Sequence, residues 1–469
     1  MSMESYDLEF GAGARVLVIG LGKSGLATVD VLRSRGAIVY ATDEKPQSKL
    51  SKELSILRER GATFVSPNRL RTIASKLGVA VISPGVPLTS AVARSLPIDV
   101  PVFSEIEVAY RLCEAPIIAV TGTKGKSTTT ALIGHLLRSA GKTVRVGGNI
   151  GNPLIYEAIE ATAADWVVAE VSSFQLETIR SFKPRISVVL NISADHLDRY
   201  FSIEEYVEAK FRIFANQNAE DTFVGNLDDE WLAALPYRFA ERTAPSPRML
   251  WFATGERHER AQLFLESQSI FYADLHGNRP RELLKRADIP LLGVHNAQNA
   301  MAAMLAAIAA GVEPDALPPE VASFRPMAHR LEVVPVEGSV TYVDDSKATN
   351  PGAVIAALRS FDRPVILIAG GKAKGTDFTE MGRVISARAK LAILIGEAAD
   401  EIAATIDGPR VLRASSMEDA VQQARSSAVR NDIVLLSPGC ASFDMFLSAE
   451  DRGERFAAAA AAQRETADA

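Results

Sequence analysis

The sequence predicts an α/β fold of three domains, each a parallel or mixed sheet flanked by helices. Three observations lead there. At 469 residues the chain exceeds one ordinary domain. Short apolar runs alternate with helical patterns from end to end. Two of these runs lead directly into glycine loops that open helices, as nucleotide-binding sheets require.

The elements follow in order. "RVLVIG" predicts a strand, "SGLATVDVLRSRG" a helix closed by glycine, and "AIVYATD" and "GVAVISPG" the next strands. "PVFSEIEVAYRLCEA" reads as a connection, after which "PIIAVTG" opens a second series through "DWVVAEV", "ISVVLNISADH" and the helix-like "SIEEYVEAKFRIFANQ". Residues 215–292 are more irregular, with strands at "PRMLWFA" and "SIFYAD". A long helix starts near Asn296, and "FRPMAHRLEVV" reads as a hinge because Pro326 disfavours helix at Arg325. The third series is "TYVDD", "PVILIAGG", "LAILIGE" and "DIVLLSPG": short apolar runs ending in small or polar residues, as buried parallel strands with functional loops do. "AAAAAAQRETADA" reads as a fraying helix end. The expected domains are 1–104 (Rossmann-like), 105–326 (a central parallel or mixed sheet) and 327–469 (Rossmann-like).

Composition narrows the function classes. Hydrophobic content is 47%, ample for buried cores. With 51 Lys and Arg against 57 Asp and Glu, the net charge of −6 argues against a chain built on counterion release from nucleic acid. Cys113 and Cys440 lie far apart without a C-x-x-C spacing, so neither a disulfide framework nor structural zinc is expected. The start "MSMESYDLEF" lacks a signal-peptide layout, and no apolar run reaches membrane-span length. The expectation is a soluble cytoplasmic protein.

The first glycine loop, "GLGKSG" at residues 20–25, matches G-x-G-x-x-G after a strand, and Asp43 ends the next strand where a ribose-binding acid would sit. Three readings stand here: a nicotinamide or flavin dehydrogenase, a tight strand–helix turn, or a loop for another diphosphate such as that of a UDP-sugar. No hydride chemistry is evident elsewhere in the chain.

The second, "VTGTKGKSTTT" at residues 120–130, is shorter than the usual G-x-x-x-x-G-K-[ST] loop, since only Thr123 and Lys124 separate Gly122 from Gly125. The order strand, glycine loop, helix still suits a phosphate tail. Lys126 can neutralise phosphate charge and Ser127 can offer a hydroxyl to Mg²⁺. Glu170 closes the strand "DWVVAE", where a metal-binding acid often sits. His196, flanked by Asp195 and Asp198 at another strand exit, is as well suited to metal or phosphate as to a structural role. By composition alone, Lys210 is a solvated lysine on a charged helix.

The motifs "VTGTKGKSTTT", "EVSSFQLE", "NISADHLDRY", "HNAQNA", "MAHRLEV" and "DDSKATNP" resemble, in this order, those of the Mur ligases of peptidoglycan synthesis. The resemblance runs from "GLGKSG" to "LSPGCASFD" and is strongest to the D-glutamate-adding branch, with "SSFQLE" and "DSKATNP" its most specific pieces. It implies an ATP-dependent amide ligase that joins D-glutamate to UDP-N-acetylmuramoyl-L-alanine through an acyl phosphate, working as a monomer with neither nucleic acid nor membrane as partner.

Carried over by residue, the resemblance implies that Gly122, Thr123, Lys124, Gly125, Lys126, Ser127 and Thr128 hold the ATP phosphates. Asn296, Asn299, Arg330 and Asp345 would contact the nucleotide elsewhere. Ser127, Glu170, His196 and a carbamylated Lys210 would hold Mg²⁺, and Lys126, Glu170, His196 and Lys210 would be catalytic. Gly22, Lys23, Ser24, Asp43 and Glu44 would bind the UDP end of the acceptor, with Ser83, Gly85 and Asn149 along the sugar–peptide path. Lys347, Thr349, Lys374, Ser442 and Phe443 would hold D-glutamate. Lys124 stands where relatives usually carry Asn, and the Asp-Asn-Pro-Arg motif of the diaminopimelate-adding member is absent. Two rivals remain: a folylpolyglutamate synthase, which lacks a UDP-binding domain ahead of the ATP loop, and a nucleotide-sensing protein, which has no need of two metals.

Overall fold

A computed structural model describes residues 10–462 apart from 196–198, 237–244, 256–258, 275–278, 292, 326–327, 337, 362 and 374–375. Packing divides the chain into two compact units, Met1–Asp288 with Gln298–Ser323, and Ile289–Ala297 with Phe324–Ala469. The first unit holds two sheets and the second holds one. Pro326 of the expected hinge lies outside the described residues.

The first sheet is parallel throughout, in the order Thr63–Phe64, Ile38–Thr42, Arg15–Ile19, Val79–Ile82, Val102–Ser104. Val16, Leu17, Val18 and Ile19 are fully buried because helices cover both faces, which is why this strand reads as a continuous apolar run. The second sheet has nine strands among the described residues. Its parallel part runs Arg248–Ala253, Thr222–Asn226, Ile186–Val189, Ile117–Thr121, Trp166–Glu170, Val144–Gly148. Leu263–Glu266 extends it, followed by the antiparallel pairs to Ser269–Tyr272 and Arg281–Lys285. The third sheet runs Glu332–Val334, Thr341–Asp344, Ile433–Leu436, Val365–Gly370, Ala389–Ile395, Arg410–Arg413, with only the first strand antiparallel. The long helix spans Val294–Ala309.

One segment departs from expectation. "PVFSEIEVAYRLCEA" is not a bare connection: it forms the edge strand Val102–Ser104 and the helix Glu105–Leu112. Buried carboxylates anchor that helix. Glu107 accepts backbone N–H bonds from Arg180 at 2.9 Å, Ser181 at 2.8 Å and Phe182 at 2.8 Å, and pairs with Arg111 Nε at 2.8 Å. Arg111 in turn lies over the Phe103 ring, 4.3 Å from its centroid. Such partners are set by distant residues, so the local pattern, acidic and short, reads as a linker.

Glu105 is the weak point of this arrangement. Its Oε1 accepts the Ile155 N–H at 2.7 Å, but its buried Oε2 has no hydrogen-bond partner among the described residues. Burial pushes its pKa from 4.5 up to about 7. Between those values the folded chain holds a proton that the unfolded chain does not, so stability falls as pH rises through this window. Gln at this position keeps the acceptor for Ile155 and removes the charge. Glu105→Gln should therefore stabilise the protein by about 2–3 kcal/mol at about pH 8 and by little at about pH 5. Thermal midpoints measured across that range check it; a pH-independent difference would rule out the carboxylate's ionisation as the cause.

Candidate active site

The second sheet reverses its order at strand Ile117–Thr121, which pairs with Ile186–Val189 on one side and Trp166–Glu170 on the other. In a parallel sheet such a point opens a crevice beyond the carboxyl ends of the strands. The short glycine loop emerges there and turns into the 14-residue helix Lys126–Ser139. Its glycines are obligatory. Gly125 has φ +85°, and a Cβ on it would fall 2.2 Å from Asn299 Oδ1; Gly122 has φ +147°, with Leu190 Cβ 3.0 Å from such an atom.

The loop backbone is clamped. Thr123 N–H donates to Asn191 O at 2.9 Å, and Lys124 N–H to Asn191 Oδ1 at 2.9 Å, while Asn191 Nδ2 donates to Lys124 O at 3.0 Å. Thr123 is buried, and its hydroxyl accepts the Ser193 N–H at 3.0 Å and lies 3.2 Å from the Tyr206 hydroxyl. Among the described residues no side chain caps the helix at Gly125, so its first-turn N–H groups suit an anion. Ser127 and Thr128 are half-buried in that turn.

Two lysines converge on this loop. Lys126 Nζ donates to Gly122 O at 2.9 Å and to Thr123 O at 3.0 Å. Lys210, on the helix Ile203–Phe211, donates to the same Gly122 O at 2.9 Å and is only 2% exposed. Burial and the neighbouring Lys126 charge hold the Lys210 pKa well below 10.5, against the opposing pull of Asp195 and Glu170. The solvated-lysine reading of Lys210 is therefore replaced by a buried amine of lowered basicity.

Glu170 ends its strand buried. Its Oε1 accepts from Asn149 Nδ2 at 2.7 Å, and its Oε2 is buried without a hydrogen-bond partner among the described residues. An orphaned carboxylate oxygen in the field of Lys210 is a hard ligand, so the chemistry of Glu170 fits a cation such as Mg²⁺, and the Ser127 hydroxyl in the first turn of the helix is a donor of the same hard type. Asn149, expected along the acceptor path, sits directly on this carboxylate. His196 lies outside the described residues, and Asp195 beside it is exposed.

On the first sheet the three glycines divide their work. Gly20, at φ +89°, makes the tight turn; a Cβ on Gly25 would lie 1.9 Å from Gly20 O, so it permits close helix packing; Gly22 has open space around it. Ser83 Oγ donates to Gly20 O at 2.8 Å, fastening residues 83–86 to the glycine loop. Asp43 is committed to the backbone: Oδ2 accepts the Leu21 N–H at 2.8 Å and Oδ1 the Lys45 N–H at 2.9 Å. It shapes the loop. Lys23 Nζ donates to Gly151 O, Glu44 is exposed with a long contact to Val92 N–H at 3.4 Å, and Ser24 and Gly85 are exposed or half-buried.

Asn296 and Asn299 are both buried on the helix Val294–Ala309. In the second unit Asp345 is buried; burial lifts its pKa to about 7, opposed by the Ser437 hydroxyl, which donates at 2.9 Å, and by Arg330, itself exposed. Lys347 pairs with Glu450, Thr349 is exposed, Ser442 is buried, and Phe443 is exposed. A backbone bridge between Lys372 and Ala441 sets the loop after Val365–Gly370 beside the loop carrying Ser442. Lys374 lies outside the described residues. His329, Glu332 and Asp344 also converge, but His329 Nδ1 is already bonded to Asp344 at 2.7 Å and the His329 backbone N–H donates to Glu332 Oε2 at 2.8 Å.

Two residues with evident roles escape sequence reading. Asn191 grips both the backbone N–H and the carbonyl oxygen of Lys124, and its position at a strand exit is the local signal. Arg452, fully buried, bonds Ser346 Oγ at 2.9 Å, Ser346 O at 2.8 Å and Cys440 O at 3.2 Å, joining the loops that carry Lys347 and Ser442. Nothing in an alanine-rich helix announces it.

Family models match almost all of this architecture: a Mur ligase MurD-like N-terminal domain over residues 14–102, a Mur ligase middle domain over 120–307 and a Mur ligase glutamate ligase domain over 329–440. UDP-N-acetylmuramoylalanine–D-glutamate ligase of Koribacter versatilis is 41% identical over 446 residues, covering 95% of this chain and 96% of the relative. The protein of that name from Pelotomaculum thermopropionicum is 43% identical, covering 94% and 96%. MurF ligase from Thermotoga maritima, solved in complex with ADP, shares the fold at 16% identity, with a TM-score of 0.55 over 96% of each chain. The chain belongs to the Mur ligase family, among relatives named for addition of D-glutamate.

Proposed function

We propose that this chain joins D-glutamate to UDP-N-acetylmuramoyl-L-alanine, cleaving ATP to ADP and phosphate, as a cytoplasmic monomer. In this reading residues 1–104 bind the UDP end of the acceptor, 105–326 bind ATP and 327–469 bind the amino acid. The observation that carries it is the convergence of Lys126, Lys210 and the unpartnered Glu170 oxygen around a clamped glycine loop at a helix N-terminus. The names of the relatives supply acceptor and donor. The glycine loop on the first sheet, with open space at Gly22, suits a diphosphate and weighs against a folylpolyglutamate synthase.

The chemistry demands such a site. A carboxylate is a poor electrophile, and it must approach a γ-phosphate of like charge. The helix N-terminal amides and Lys126 offset that repulsion on the phosphate side. Mg²⁺, when bound by Glu170, Ser127 and His196, supplies further neutralisation and in-line orientation. The acyl phosphate so formed is attacked by the amine of D-glutamate, and phosphate leaves. Lys347, Lys374, Thr349 and Ser442 complement the two carboxylates of that amino acid. No side-chain nucleophile is called for.

Lys210 enters as a carbamate. Burial lowers its basicity, which eases loss of the ammonium proton; the amine nitrogen would then bond the carbon of carbon dioxide and release a second proton, and the carboxylate so formed would be a hard metal ligand. Lys210→Ala should lose at least about a hundredfold in turnover, and short-chain carboxylates should restore part of it. Full activity in that variant would remove Lys210 from the mechanism. For the reaction as a whole, phosphate release from ATP and Mg²⁺ with UDP-N-acetylmuramoyl-L-alanine should require D-glutamate among a panel of L- and D-amino acids. Turnover with a different amino acid would keep the mechanism and change the donor; NAD binding without turnover would favour the dehydrogenase reading of residues 20–25.

A further inference from the structure

Polar contacts join the first and second sheets at several points. Lys23 meets Gly151 O, and Tyr156 donates to Asp30 Oδ2 at 3.1 Å. The third contact differs in kind. Arg199 Nη1 donates to Pro84 O at 2.8 Å while Nη2 pairs with Glu177 Oε2 at 2.8 Å, and both side chains are largely buried, at 14% and 16% exposure.

The base of this arginine is rigid. Its guanidinium lies over the Phe174 ring, 3.9 Å from the centroid. Tyr200 stacks on the other part of that platform, 5.9 Å between ring centres, and donates its hydroxyl to the second Glu177 oxygen at 2.7 Å. Phe174 and Glu177 come from "SSFQLE", and Arg199 and Tyr200 from the segment after strand Ile186–Val189. All of these belong to the second sheet's surroundings. Pro84 belongs to the first sheet, in the 83–86 loop that Ser83 fastens to the glycine loop. A Cβ on Gly20 would lie 2.8 Å from Val86 Cγ2, so the two loops are packed as one body.

We propose that Arg199 is a positioning residue for the acceptor. It holds the 83–86 loop, and with it the diphosphate-binding glycine loop, at a fixed place relative to Glu170 and the ATP loop. A planar fork with one arm on Glu177 and the other on a carbonyl transmits that placement; a lysine, with one ammonium on a flexible stem, cannot serve both partners from the same geometry. The ATP loop has its own clamp in Asn191 and does not depend on this strut. The consequence is selective: acceptor binding weakens when Arg199 is replaced, and nucleotide binding does not.

The proposal rests on the ligase reading, and the test separates the two. Steady-state kinetics on the full-length wild type, Arg199→Lys and Arg199→Ala, with each of the three substrates varied in turn, are compared with thermal midpoints and with calorimetric binding of UDP-N-acetylmuramoyl-L-alanine. In Arg199→Lys the acceptor KM and dissociation constant should rise about tenfold, with the ATP KM changed by less than about twofold and the midpoint preserved. Arg199→Ala should show the same split more strongly, and should it fail to fold, the lysine variant decides. An active Arg199→Lys with unchanged acceptor KM overturns the proposal, as does a parallel rise of all three KM values, which marks a general loss of structure. Absence of acceptor-dependent phosphate release in the wild type overturns the ligase reading itself and this proposal with it.

Discussion

Two lysine side chains meet on one backbone carbonyl, that of Gly122, and the central site is built around that convergence. Two cations cannot both be buried at one point in a medium of low polarity without one giving way. Lys210 is the more deeply buried, and its basicity is lowered by that burial and by the Lys126 charge. Glu170 and Asp195 moderate the field but do not reverse it. The outcome is an asymmetric pair: a half-buried lysine that also reaches Thr123 O, and a buried amine of lowered basicity held on Gly122 O. Both are made possible by a loop so tight that its carbonyl points into the site.

The loop keeps its shape because short polar side chains hold its backbone from outside. Asn191 binds the backbone N–H and the carbonyl oxygen of Lys124, and Asp229 in turn secures the neighbouring Ile192 N–H at 2.6 Å while capping the helix Glu230–Ala233. The first sheet uses the same device, with Asp43 bonded to the Leu21 and Lys45 amides. In both loops a short carboxylate or amide side chain fixes the backbone through its own N–H groups. Preorganised donors of this kind need no rearrangement when charge develops, which is where electrostatic catalysis gains most.

The second unit solves a related problem with a charge. Arg452 is fully buried, and burial lowers its pKa to about 10, yet every described contact it makes is to a neutral oxygen of Ser346 or Cys440. A guanidinium spreads its charge over a plane and tolerates this better than an ammonium would. What it secures is the spacing of two loops, 346–349 and 440–443, whose side chains are expected to face one small dianion.

Much of this protein is legible locally. The alternation of apolar runs, the two glycine loops and the order of motifs determine the element types, the phosphate chemistry and the family, because each is written within a few consecutive residues. The tertiary structure decided what depends on partners distant in the chain. Lys210 and Gly122 are 88 residues apart, and only their contact turns an ordinary helical lysine into a buried amine. That the Asp43 oxygens lie on loop amides and the Asn149 amide on Glu170 is written in no local pattern, and residues 102–112 look like a linker until Glu107 is found beneath three distant N–H groups. A side chain's identity states what it can bind; burial and the groups brought against it by folding select which of those bonds it makes.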